Sequence, residues 1–357
     1  NRVVRTLRED PRNPDLLYLG TELGLFISIN GGRQWVELKN NMPTQPFNDL
    51  LIHPRDNDLV LGTHGRGIWI LDKVNALQEL TPTILAQSAH LFTIANTRLI
   101  RYTREGGHTG DMIFRGENPP AGAIIDYYLQ AARPAANISL AIYNSENTLV
   151  RQLNPDTTAG INRIIWDGRH ARLAALNIPD ADNTTGSRRP GPEGPLAMPG
   201  LYTARLTVNG QTYEQTFLVQ DDPRLHMGIE DRRAWTETLF ELGKLYEAVL
   251  QELKVVRPIH YQLGKLVGGK VTLDAALIVE ANELDKMYGE LLDRTRGLYG
   301  NVSNWMGKMT ADQAAQMAYY RKMLTELEPR KKNLLDRAAR QTRKLDKTNQ
   351  IPKPPSR

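Results

Sequence analysis

A tandem repeat near the start of the chain constrains its fold more than any other feature. Asp10-Pro11-Arg12-Asn13-Pro14-Asp15-Leu16-Leu17-Tyr18-Leu19-Gly20-Thr21 is echoed by His53-Pro54-Arg55-Asp56-Asn57-Asp58-Leu59-Val60-Leu61-Gly62-Thr63. Gly24-Leu25-Phe26-Ile27 is then echoed by Gly67-Ile68-Trp69-Ile70. In each copy a Pro/Asn/Asp turn precedes an apolar strand, then Gly-Thr, then a second strand. The period, about 43 residues, is that of one four-stranded supersecondary unit, which cannot bury its apolar face alone.

The first copy continues into Ser28-Ile29-Asn30-Gly31-Gly32-Arg33-Gln34-Trp35. Asn30 supplies a side-chain oxygen to the backbone N–H groups of a tight turn. The glycines allow φ > 0, and the indole of Trp35 is expected to pack the returning strand against its neighbours. The residues Ser28, Asn30, Gly32 and Trp35 resemble the Asp-box of BNR-type β-propeller blades, with Asn in place of the usual Asp. The second copy lacks this hairpin, because Leu71-Asp72-Lys73 runs out of the sheet, as the last blade of a propeller would. A propeller needs roughly four to eight blades to hide its strand edges. Residues 1–72 are therefore expected to be last blades completed by other polypeptide, upstream blades or a partner chain. The chain also starts at Asn1 without an initiator Met, and it is expected to be the C-terminal portion of a longer protein.

Residues 73–110 read as a connector, and residues 111–222 as a β-sandwich. Its strand candidates are 123–129, 138–143, 149–153, 162–166, 200–209 and 212–219, several with period-two alternation. Asn209-Gly210 is a hairpin signal, since both residues accept φ > 0. The stretch from Asp180 to Pro199, rich in Pro, Gly, Asn and Arg, is expected to be a mobile surface loop. Trp166 is expected to anchor the sandwich, with Asp167 and Gly168 making the turn beyond it and His170 of little consequence. Asn118-Pro119-Pro120-Ala121-Gly122-Ala123, Trp166-Asp167-Gly168-Arg169 and Pro199-Gly200-Leu201-Tyr202 resemble the immunoglobulin-like domain that follows the propeller in large bacterial sortilin/VPS10-like BNR-repeat proteins. The last two motifs are also similar to the Ig-like domain of flagellar hook-capping proteins.

From about residue 223 to 345 the pattern turns helical. Trp235, Leu239, Leu242, Tyr246, Val249, Leu253 and Val256 alternate spacings of four and three, as do Leu277, Ala281, Leu284, Tyr288, Leu291, Thr295 and Leu298. A third seam runs through Met317, Tyr320, Leu324, Leu327 and Leu334. Such stripes must bury against one another, so an antiparallel helical hairpin or bundle is expected. Thr310-Ala311-Asp312-Gln313 is a capping-box start, Gly268-Gly269 separates helices, and Pro329 should kink or interrupt the third. Residues 346–357 read as a disordered tail. The fold class is thus mainly β plus α.

Chemistry is sparse. Cys is 0, so thiolate metal sites and disulfides are excluded. The 7 His residues are scattered without metal-ligand spacing. No catalytic residue, metal or cofactor is expected. The net charge of +5 is concentrated in the last segment without interleaved aromatics, which argues for a solvated helix face and against nucleic acid. No apolar run is long enough for a membrane span. One site-like stretch remains, Thr63-His64-Gly65-Arg66-Gly67, where His64 and Arg66 either contact a ligand or satisfy backbone carbonyls where blades meet. The resemblance implies an extracytoplasmic, non-catalytic binding or assembly portion, with a protein, peptide or glycan ligand. The alternative is part of a sialidase- or xyloglucanase-like glycoside hydrolase whose carboxylates lie in upstream blades.

Overall fold

The structure, a computed structural model, describes residues 2–39, 41–102, 116–177, 188–267 and 273–347. It is a mixed β and α protein with several sheets and a C-terminal helical region. The chain divides into two compact units, Asn1–Arg169 with Ala197–Leu225, and His170–Leu196 with His226–Arg357.

The first unit opens with two antiparallel meanders. Strands β1 (Val4–Glu9), β2 (Leu17–Thr21), β3 (Leu25–Ser28) and β4 (Val36–Glu37) form a four-stranded sheet in sequence order, and β5 (Phe47–Ile52), β6 (Leu59–Thr63) and β7 (Ile68–Leu71) form a three-stranded one. Their facing sides share one core that includes Tyr18, Leu25, Ile27, Phe47, Leu50 and Leu61. The sheets approach so closely at Gly20 that a Cβ there would lie 2.7 Å from the Phe47 carbonyl oxygen. The repeated turn has a repeated cap. Asp10 Oδ1 accepts from the Asn13 amide at 3.1 Å, and in the second copy His53 Nδ1 accepts from the Asp56 amide at 3.2 Å. Unlike His, Asp has a second oxygen to offer. Asp10 Oδ2 takes the Tyr18 hydroxyl at 3.0 Å and the Gln78 amide at 2.9 Å, so the buried carboxylate is fully paired.

After the short helices α1 (Asn75–Glu79) and α2 (Pro82–Leu85) come β8 (Ala89–Leu91) and β9 (Thr97–Leu99). Within the connector the sequence suggests a short helix and an extended return from residues 80–82 and 88–92, where β8 lies, but not β9 or the sheets these strands join, because three-residue strands are too short to display a period. They nevertheless complete the two sheets built downstream by β10 (Ala123–Leu129), β11 (Ile138–Asn144), β12 (Leu149–Leu153), β13 (Gly160–Trp166) and two later strands between residues 200 and 221. One sheet has the order β13-β10-β8. Trp166 is fully buried between the sheets, its ring 5.2 Å from that of Tyr202 and 6.0 Å from that of Phe217, and its Nε1 donates to the Arg169 carbonyl. The turn beyond uses Asp167 Oδ1 as acceptor for the Arg169 amide, with Gly168 at φ 69°.

The next segment belongs to the second unit. Strands β14 (Leu176–Asn177) and β15 (Arg188–Arg189) pair antiparallel. The pairing continues as a ribbon in which the Leu173 amide donates to Pro192 O and the His170 amide to Pro195 O. Expected as a mobile loop, residues 190–196 are instead an irregular return segment, largely buried and hydrogen-bonded to residues 170–173. Residues 178–187 lie outside the described residues. Its composition has a mechanical reason. Pro192 and Pro195 need only offer carbonyls, and at Gly191 and Gly194 a Cβ would meet the carbonyls of Leu173 and His170 at 2.1 and 2.3 Å.

The chain returns to the first unit with β16 (Gly200–Val208) and β17 (Gln211–Asp221), joined at Asn209 and Gly210 with φ 50° and 83°. These complete the second sheet, in the order β12-β11-β16-β17-β9, parallel only between β17 and β9.

Three long helices follow, α3 (Ile229–Leu266), α4 (Ala275–Asn304) and α5 (Ala311–Lys347). The seams read from the sequence in α3 and α4 are buried throughout, and Tyr320, Leu327 and Leu334 of α5 with them. Reciprocal bonds between Thr310 and Gln313 cap α5. Pro329 does not interrupt α5, nor Pro258 α3. Each removes one i→i−4 bond, which burial of the stripe outweighs. Gly268 and Gly269 lie outside the described residues, as do residues 348–357, whereas 346–347 still belong to α5. The helices hold the ribbon by its carbonyls: Tyr246 donates to Ala174 O at 3.3 Å and Tyr299 to Glu193 O at 2.7 Å. His170 stands edge-on to Phe240 at 4.8 Å, so it is not the inconsequential residue expected beyond the turn. Burial, with the Arg232 charge nearby, lowers its pKa below 6.5.

Candidate functional site

The hairpin between β3 and β4 is knitted by its own side chains. Asn30 Oδ1 accepts from Ser28 Oγ at 3.0 Å and from the Gln34 amide at 2.9 Å, and Ser28 Oγ accepts from the Gly32 amide at 2.9 Å. Gly31 and Gly32 take φ of 65° and 87°. Asn serves here because these bonds need an acceptor oxygen, not a charge. Trp35 differs from expectation. It is 37% exposed and covers Gly32 at the turn, where a Cβ would lie 3.7 Å from the ring, instead of joining the core between the sheets. These side-chain bonds are internal to the hairpin, and the Gly31 amide ties it to the Asp15 carbonyl at 2.9 Å, an arrangement that holds the backbone.

The Thr63–Gly67 loop leaves His64 and Arg66 on the surface. Its turn is closed by Thr63 Oγ1 donating to Gly67 O at 2.6 Å, with Gly65 and Gly67 at φ 78° and 72°. Arg66 contributes through its backbone carbonyl, which accepts from Trp69 Nε1 at 3.2 Å. Its guanidinium is exposed and makes no hydrogen bond to the described residues. The alternative in which it satisfies carbonyls between sheets is therefore not the arrangement present.

A second location was not visible in the sequence as a motif. Where β7 ends, a cleft of about 670 Å³ lies between the second meander and the β8–β13 region, lined among others by Asp58, Asp72, Lys73, Arg98, Tyr102 and Asp126. Its floor is a clamp. Arg163 grips both oxygens of buried Asp126 at 2.7 and 2.8 Å, and donates to the carbonyls of Asp72 and Lys73 at 2.6 and 2.9 Å. One guanidinium thus uses its planar fork on a carboxylate and its remaining donors on the chain leaving β7. Lys73 turns at φ 52°, its amide bonded to Asp58 Oδ1 at 2.9 Å. The signal for this clamp was present: Asp126 is the one charge within the apolar run Ala123–Leu129, and Arg163 is its cross-strand partner.

The electrostatics of the cleft are uneven. Asp56 is engaged by Arg55, Asp58 by Lys73 and Asp126 by Arg163. Asp72 has no such partner among the described residues. Burial first, and the neighbouring Asp58 charge second, raise its pKa above the usual carboxyl value, with Arg163 and Lys73 opposing. Among the described residues no group of His, Asp and Glu is arranged to hold a metal ion, and no helix is long and apolar enough to cross a membrane.

No protein-family model and no curated protein matches the chain. Among solved structures, that of CopC from Methylosinus trichosporium OB3b is similar over 29% of this chain and 80% of that chain, with 18% identity and a TM-score of 0.14.

Proposed function

We propose that residues 1–72 are two consecutive blades of an Asp-box β-propeller, that the sheets of residues 89–221 are its immunoglobulin-like companion, and that the chain is a non-catalytic binding or assembly portion of an exported bacterial protein of the sortilin/VPS10-like BNR-repeat type. The observation that carries this reading is a directional equivalence between the two meanders. The cross-strand row Leu7–Leu19–Phe26 of the first sheet occupies the register positions of Leu50–Leu61–Trp69 in the second. The latter row is packed into the shared core, against Tyr18 and Ile27 on the opposite face of the first sheet. That opposite face has its own counterpart, the row Leu51–Val60–Ile70. It is uncovered, with Leu51 54%, Ile70 59% and Ile68 72% exposed.

Front-on-back stacking therefore leaves a front and a back free, and an apolar sheet face in water is a liability that proteins cover. More copies of the same unit, upstream or on a partner chain, fit both faces, because the internal contact is already the template. Three cleft carboxylates, Asp56, Asp58 and Asp126, are engaged in ion pairs and only Asp72 is not, which favours binding over glycoside hydrolysis at this cleft, since hydrolysis needs two free carboxyl groups across a substrate. Placement outside the cytoplasm follows from the family resemblance alone.

The chain has no native Cys, so a thiol can report coverage directly. Leu51→Cys should react quickly with a maleimide in the isolated chain and be shielded when the same substitution is carried by the longer protein. Equal reactivity in both would leave the back face open to solvent and remove the propeller reading.

A further inference from the structure

The cleft at the end of β7 keeps two charges that the fold does not use. Of the carboxylates lining it, Asp72 alone has no ion-pair partner among the described residues, although burial and the Asp58 charge both disfavour its ionised form. A carboxylate held in a cleft at such a cost is a common mark of a functional site. Arg98, from the same lining, is the second charge. In β9 Thr97 and Leu99 are buried and Arg98 faces outward. Parallel pairing sets it across from Gln220, whose Oε1 accepts from its Nε at 3.5 Å. That long bond leaves the terminal guanidinium nitrogens unengaged among the described residues. The charges acting on Asp72 are those of Asp58, Arg163 and Lys73, and Arg98 is not one of them, so the two unspent charges stand apart. The neutral lining is one-sided as well. Asn75 Oδ1 accepts from Asn57 Nδ2 at 3.0 Å, and Asn96 Oδ1 accepts from the Leu218 amide at 3.1 Å. Both side chains thus spend their oxygen on the fold and keep their NH2 group to donate.

We propose that this cleft binds a short peptide with both ends free, its ammonium group at Asp72, its carboxylate at the Arg98 guanidinium and its carbonyls at the Asn75 and Asn96 amides. Capture of a free terminus is a recurring mode of peptide recognition. The cleft volume, about 670 Å³, lies within the range of roughly 300–1,000 Å³ typical of small-ligand sites. A neutral sugar would leave both charges unspent. Asp72 is also set in place before any ligand arrives, because Arg163 holds its carbonyl and the chain turns sharply at Lys73, with φ 52°. Binding then has little left to order at that end. The exposed ring of Tyr102 offers a further apolar contact at the same lining. This assignment rests on the binding half of the proposed function and not on its propeller.

Calorimetric titration of the full chain with triglycine, N-acetyl-triglycine and triglycine amide provides the test. Free triglycine should bind about tenfold more tightly than either capped form, since each cap removes one charge-assisted contact. Asp72→Asn should abolish the preference over N-acetyl-triglycine and keep the preference over triglycine amide. Arg98→Gln should do the reverse. Neither substitution removes an ion pair of the fold, so a lost preference does not report unfolding. No binding of any of the three peptides, equal affinity for all of them, or preferences that survive both substitutions overturn the assignment. So does binding of a neutral oligosaccharide such as cellotetraose that Asp72→Asn leaves unchanged, since the cleft then takes a glycan. If no peptide binds while Leu51→Cys is shielded in the longer protein, the propeller stands and the peptide site falls. If triglycine binds with the expected preferences while that thiol stays reactive, the peptide site stands without the propeller.

Discussion

Asp72 and Asp126 are carboxylates at the same cleft with opposite circumstances. Asp126 was not singled out in the sequence, although it is a lone charge in an apolar strand, and Arg163 meets both oxygens of its buried carboxylate. Asp72 was read only as the residue where the chain leaves the sheet. Its side chain has no ion-pair partner among the described residues, and burial and Asp58 together raise its pKa above 3.8. The sign of its effect on stability follows. As pH rises through the ordinary carboxyl value the unfolded chain releases this proton first, so the unfolded state gains, and above the raised folded value the penalty is constant. Asp72→Asn, which cannot ionise, is therefore expected to melt at a higher temperature than the wild type at pH 7. The gain should shrink as pH falls through the raised folded value and vanish below the ordinary carboxyl value, where Asp72 is protonated in both the folded and the unfolded state. A difference in melting temperature that is flat from pH 3 to 7 would show that Asp72 carries no such penalty.

At the level of elements, strands and helices with several periods were legible, and those held by special partners were not. β10, β11 and β13, with seven residues each, appear close to their expected bounds, and the three helices carry the seams read from the sequence, because alternation or a stripe has room to repeat. β8 and β9 have three residues each and are held by neighbours far along the chain, which a local pattern does not display. Trp35 and Trp166 make the same point about aromatics. Each stands next to a tight turn, yet only Trp166 lies on the inner face of a strand between two sheets, and it is the one that is buried. Trp166→Ala should cost ~3–5 kcal/mol, the range for deleting a large buried ring. The full chain is the right host, because an excised 111–222 segment would lack β8 and β9. Denaturant titration that gave Trp166→Ala and Trp35→Ala equal, small losses would contradict this division between core and turn.

Across the whole molecule the chain does not finish one unit before starting the other. It leaves the first at Arg169, contributes His170–Leu196 to the second, returns at Ala197 and leaves again at Leu225. Composition could not reveal this, since a run rich in Gly, Pro and Arg reads as a loop wherever it lies. What makes it a ribbon is its partners: the amides of His170 and Leu173 on the carbonyls of Pro195 and Pro192, and the hydroxyls of Tyr246 and Tyr299 on the carbonyls of Ala174 and Glu193. The ribbon should then fail locally when its two edges are pushed apart. At Gly194 an added Cβ would lie 2.3 Å from His170 O, a backbone atom that cannot give way as a flexible side chain would. Gly194→Ala is expected to cost ~1–3 kcal/mol, the usual penalty of forced overpacking. Hydrogen exchange should show where that cost falls. The amides of His170 and Leu173 should speed up, while those of β10 and β13, which pair only within the first unit, keep their protection. Unchanged exchange at His170 and Leu173 would mean that the ribbon tolerates the methyl group and is not held by this close approach. Equal loss of protection in β10 would mean that the segment is instead part of the first unit's cooperative core.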